Sequence, residues 1–83
     1  MPQKSDTDEL RQIIARNILR ERTVRGWSQA ELARRSNRNQ ARISELEAGQ
    51  VNHRIDTIEA VASAFGVPVA SIMMPDRQTN SRK

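Results

Sequence analysis

Between Gln29 and Gly49, in QAELARRSNRNQARISELEAG, side chains able to make directional polar contacts stand close together. Gln40 carries a donor and an acceptor side by side, a pair that fits the N6 and N7 positions of adenine. Ala41 offers only a methyl, suited to a thymine methyl or to simple close approach. Glu45 can only accept. Near bases it favours a cytosine amino group, and it repels phosphate. Arg34, Arg35, Arg38 and Arg42 place four cations within nine residues that contain no acid. The planar fork of arginine matches phosphate and base edges better than a lysine does.

Such groups work only if rigid elements hold them. Helical periodicity runs through nearly the whole chain, and no segment alternates as a strand would. Leu10, Ile13, Ile14 and Ile18 share one face of a first helix over roughly 8–24, with Asp6 or Asp8 at its start and Gly26 after its end. Ser28 stands three residues before Glu31, the spacing of a capping box, so a second helix runs from Gln29 to about Arg35. Asn37 tolerates the left-handed conformation of a tight helix end. Asn39 then caps a third helix, Gln40–Ala48, which Gly49 closes. Two short helices joined so closely meet the requirement of a helix-turn-helix. Ile43 and Leu46 face inward, leaving Gln40, Ala41, Ser44, Glu45 and Ala48 on the opposite face. After a polar linker, Gln50–Ile55, a fourth helix capped by Asp56 or Thr57 carries Ile58, Val61, Ala62 and Phe65 on one stripe, and Gly66 ends it. Pro68 opens a short fifth helix over 68–74.

Composition sets the limits. With 83 residues, 36% hydrophobic and 29% charged, the chain is read as one small all-α domain. The expected division is a flexible segment over 1–8, a folded unit over 9–74 and a disordered tail over 75–83. No apolar run approaches the ~20 residues that span a bilayer. The first nine residues lack the apolar stretch of a signal peptide, and a cytoplasmic location is expected. With no cysteine there is no disulfide or thiolate metal site, and His53 has no second histidine beside it. No phosphate loop, metal cluster or nucleophile–base pair argues for an enzyme, and no cofactor is expected. Charge is unevenly spread: −2 over residues 1–9, +6 over 10–54 and zero over 55–83. Charge alone fits either a nucleic-acid partner or an ordinary solvated basic surface. Trp27 and Phe65, the two aromatics, are too few for a platform that stacks single-stranded bases.

Three blocks, GWSQAELARRS (Gly26–Ser36), NQARISELEAG (Asn39–Gly49) and DTIEAVASAFGV (Asp56–Val67), resemble the Cro/repressor (XRE-type) helix-turn-helix family of phage and bacterial regulators. The resemblance covers about residues 10–74. It implies a compact five-helix, lambda-repressor-like domain that lays its third helix in the major groove of double-stranded DNA as a homodimer. Gln29 would bind a phosphate. Gln40, Ala41 and Glu45, with Ser44 beside them, would face bases, and Asn52, His53 and Arg54 would clamp the backbone. Arg38, Asn39 and Arg42 complete the candidate DNA-binding set. Arg22 and Glu47 match a pair that in this family joins helix one to helix three through a buried ion pair.

Some positions depart from the family pattern. Asn37 replaces a usual glycine, and Arg38 a small aliphatic residue. His53 stands where proline is frequent, and Glu21 where leucine often packs, which thins the core. Plainer roles remain open beside the DNA contacts. Glu45 could bridge to Arg42, and Arg34 or Arg35 could pair with Glu31. Trp27 is expected to pack between helices one and two. Val67, Val69, Ile72 and Met73 offer more apolar surface than a terminal helix needs, so helix five is expected to carry a dimer contact. The alternative to a transcriptional regulator is an antitoxin-like module that binds a toxin or another protein. A contact with polymerase would be an addition to DNA binding.

Overall fold

The computed structural model describes residues 6–50 and 54–75. Those residues form five helices and no strand: α1 (Asp6–Val24), α2 (Gln29–Ser36), α3 (Gln40–Ala48), α4 (Ile55–Phe65) and α5 (Val69–Met73). The connections obey local chemistry. Ser28 Oγ accepts the Glu31 amide at 3.0 Å, starting α2, while the Glu31 carboxylate turns to Arg34 and Arg35. Asn39 Oδ1 accepts the Arg42 amide at 2.8 Å and starts α3. Between them Asn37 adopts φ 58°, the one non-glycine residue in the left-handed region among those described. Gly49 ends α3 at φ 70°, and a Cβ there would come within 2.9 Å of the Gln12 side chain of α1. The exposed Gln12 side chain can swing aside, so it is the left-handed conformation that favours glycine here.

The apolar stripes converge on one core. Ile14 and Ile18 of α1, Leu32 of α2, Ile43 of α3, Ile58 and Val61 of α4, and Ile72 of α5 are fully buried. Each such side chain contributes ~1.5–3 kcal/mol relative to exposure. Around this core α1 packs on α3 and α5, α2 on α3 and α4, and α4 on α5. Leu10, Trp27, Val67, Val69 and Met73 pack against it from the rim.

Several sequence expectations need correction. Helix α1 begins at Asp6, so Asp6 and Asp8 lie inside its first turn instead of capping it. Helix α2 ends at Ser36, within a residue of the expected end, and the buried Ser36 hydroxyl donates to the Leu32 carbonyl. Neither Asp56 nor Thr57 caps α4. Arg54 occupies the cap position without a side-chain hydrogen bond, and Thr57 is buried. Pro68 precedes α5 instead of belonging to it. The largest revision concerns α5 itself: Ile72 has no exposed surface, and Val67, Val69 and Met73 are partly buried in the chain's own core. Of the four residues expected to form a dimer patch, Ile72 is withdrawn into the core, and Val67, Val69 and Met73 keep part of their surface exposed.

Helix α5 is too short to hold itself, and a polar staple fixes it. Asn17 of α1 is 2% exposed, and its Nδ2 donates to the carbonyls of Ile72 and Met74, both at 2.7 Å. Arg20 donates to the Asn17 Oδ1 at 2.9 Å, which satisfies the other end of the amide.

Glu21, expected to thin the core, is half-buried among arginines. Burial pushes its carboxyl up, but hydrogen bonds from Arg25 and Arg20 prevail and hold it below the ordinary value. Arg25 continues onward to the Phe65 carbonyl at 2.7 Å. Its guanidinium lies 4.8 Å from the Phe65 ring, which stacks on Trp27 at 5.7 Å, and Arg35 covers Trp27 at 4.3 Å. Trp27 thus links the α1–α2 junction to the end of α4, and cation–π contacts replace the aliphatic packing.

Candidate nucleic-acid interface

Helix α3 is anchored from one side and open on the other. Ile43 and Leu46 are buried, whereas Gln40, Ala41, Ser44, Glu45 and Ala48 are exposed, as the period of 3.6 residues requires. Four candidate base-reading positions therefore share one accessible face.

Glu47 holds this helix in place. Its carboxylate takes a bidentate pair from Arg22 of α1, Nε to Oε2 at 2.6 Å and Nη2 to Oε1 at 2.9 Å. Arg22 also donates to the Trp27 carbonyl at 2.9 Å, so one guanidinium ties α1, the α1–α2 junction and α3. With side chains 16% and 7% exposed, the pair is largely shielded, and the bond to Glu47 raises the arginine's pKa further. Gln29, at the start of α2, donates through Nε2 to the same carboxylate at 3.0 Å. An amide nitrogen has a second hydrogen to offer, so this bond orients Gln29 without exhausting it.

The surrounding cations are tethered. Glu31 receives Arg34 and Arg35, Glu45 receives Arg42 at 3.3 Å, and Asp56 receives Arg54 at 3.2 Å. Hydrogen bonds from Arg34 and Arg35 lower the Glu31 carboxyl, and Arg54 does the same for Asp56. Among the described residues, Arg38 makes no ion pair with a carboxylate. Its guanidinium donates to the carbonyls of Asn37 and Asp56, bridging the α2–α3 turn to the first turn of α4. Asn39 is occupied as the cap of α3, which leaves its amide nitrogen available. Asn52 and His53 lie outside the described residues. The sequence reading passed over Asp56 as a partner of Arg54, although the two-residue spacing was visible, and it passed over the Gln29–Glu47 contact, which joins residues 18 apart.

A helix-turn-helix domain model matches residues 17–72, from within α1 to the end of α5. The chain belongs to the helix-turn-helix family, of the Cro/repressor (XRE) type. Among helix-turn-helix relatives, a hypothetical transcription factor of Neisseria meningitidis serogroup B is 33% identical over 73 residues, 88% of this chain and 69% of that protein. The HTH-type transcriptional regulator y4dJ of Sinorhizobium fredii is 31% identical over 71 residues, 86% of this chain and 92% of its own length. The crystal structure of the hypothetical transcription factor NHTF from Neisseria superposes with a TM-score of 0.81 at 30% identity. It covers 96% of this chain and 92% of that one. Among the described residues, no helix is long and apolar enough to cross a membrane.

Proposed function

We propose that this helix-turn-helix chain is a sequence-specific regulator of transcription that binds double-stranded DNA. In this reading α3 enters the major groove of an operator, and two copies occupy a two-fold site. The observation that carries the reading is the division of α3: Glu47, Ile43 and Leu46 fix one side, while Gln40, Ala41, Ser44 and Glu45 stand exposed on the other. Gln40 pairs with adenine and Glu45 with a cytosine amino group. Gln29, Arg38, Asn39, Arg42 and Arg54 meet the backbone, together with Asn52 and His53. The names of the relatives, transcription factor and HTH-type regulator, support the same activity.

Selection of bound duplexes from a random pool tests the reading. The expected output is a short motif in two inverted half-sites, with affinity that falls steeply as salt rises. Contact with about five to eight phosphates per dimer corresponds to a log–log slope of roughly −4 to −7. A flat salt response, or a stoichiometric protein partner captured in place of DNA, would overturn it.

A further inference from the structure

Asp56 lies outside the candidate reading face, yet it gathers two of the cations assigned to phosphate. Arg54 forks onto its carboxylate, Nε to Oδ1 at 3.2 Å and Nη2 to Oδ2 at 3.3 Å. Arg38, arriving from the α2–α3 turn, donates to the Asp56 carbonyl at 3.3 Å. Both members of the ion pair are open to solvent, with side chains 66% and 58% exposed. A pair of this kind is weakly held, and a phosphate presents two oxygens to the same arginine fork.

We propose that Asp56 is an internal competitor for phosphate: it occupies Arg54 in the free protein, must release it on the duplex, and so sets the affinity for DNA. The inference rests on the DNA-binding reading above. After Arg54 leaves, the carboxylate stays ionised at the first turn of α4, where helix amides favour an anion. Arg54 is the largest cause of its lowered pKa, but the Thr57 amide and the charge of Arg38 remain beside it. The released anion then takes up a cation from solution. That uptake offsets part of the counterion release from DNA and makes the salt dependence shallower than the count of arginines implies.

Fluorescence anisotropy of the full chain with a mixed-sequence duplex, measured across salt, provides the test. Asp56→Asn should bind about two- to fivefold more tightly per subunit at low salt. Its slope should steepen by up to about one per subunit. Glu59→Gln removes the same charge three residues along α4 from an exposed side chain that holds no arginine among the described residues, so it should change binding less. In an Arg54→Ala background, Asp56→Asn should bring no gain beyond that of Glu59→Gln. A wild-type chain that binds no duplex overturns the DNA reading and this inference with it. Salt-sensitive wild-type binding with Asp56→Asn unchanged, equal to Glu59→Gln, or still favourable without Arg54 overturns this inference alone. Circular dichroism checks the fold, and Asp56→Ser repeats the measurement if the asparagine variant is unstable.

Discussion

Gln40 and Glu45 stand five residues apart on the exposed face of α3, so in the proposed complex they read different base pairs of one half-site. Gln40→Ala is expected to relax preference at one position by ~1–3 kcal/mol while the salt slope stays unchanged. Glu45→Gln removes an anion facing a polyanion, so non-specific affinity should rise as discrimination at its base pair falls. Base-by-base binding profiles check both; intact specificity in Glu45→Gln would leave Glu45 only its bridge to Arg42, 3.3 Å away. The Arg22–Glu47 pair makes a separate prediction. Either single alanine variant strands a shielded charge and should cost about 2–4 kcal/mol in urea unfolding. Replacing both by leucine or methionine should recover much of the loss. Single variants within about half a kcal/mol of wild type would show the pair to be inert.

Among the elements, α5 depends most on its neighbours. Its five residues contribute one fully buried side chain, Ile72, and its end is held by the Asn17 amide. Asn17→Ala should cost about 1–3 kcal/mol, because it leaves the buried Ile72 carbonyl without the Asn17 donor. Hydrogen exchange should then show α5 losing protection before α2 or α3. Ile72→Asp should unfold the domain, which circular dichroism would detect, and should not yield folded monomers. The helices were legible from the sequence because capping serines and asparagines and the apolar spacing are local signals. The exposed face of α3 followed from the same periodicity once Ile43 and Leu46 were placed inside. Asn17 was not legible, since an amide on an apolar stripe gives no sign of partners 55 and 57 residues later. Nor was Arg25, whose bond to the Phe65 carbonyl spans 40 residues. Ile72 misled because apolar residues on a short helix look alike whether they face their own core or a second copy. The role of Glu47 could be read only through family resemblance, and its hold on Gln29 emerged from the fold.

Across the whole molecule, carboxylates held by arginines set the response to acid. Glu21, Glu31 and Asp56 all have folded pKa values below their ordinary ones: burial raises that of Glu21, but the Arg25 and Arg20 bonds outweigh it. Groups lowered in this way stabilise the fold fully above the ordinary carboxylate range and lose that contribution as pH falls through their folded values. Thermal unfolding scans should therefore change little from neutrality to about pH 5 and show falling stability below about pH 4. The half-buried Glu21 should account for more of the decline than the exposed Glu31 and Asp56, whose pairs are screened by water. Glu21→Gln should flatten the acid limb, and an unchanged limb would remove Glu21 from the account. The bond from Asn17 to the carbonyls of Ile72 and Met74 also bears on how the protein is made. On a ribosome adding about 5–20 residues per second, some 3–11 seconds separate the synthesis of Asn17 from that of its partners. Until Ile72 emerges from the exit tunnel, Ile14 and Ile18 lack part of their final covering, and the nascent chain carries an open apolar seam. Folding is thus tied to the arrival of the last described helix, so a message truncated before Ile72 would yield a product that chaperones and proteases treat as unfolded.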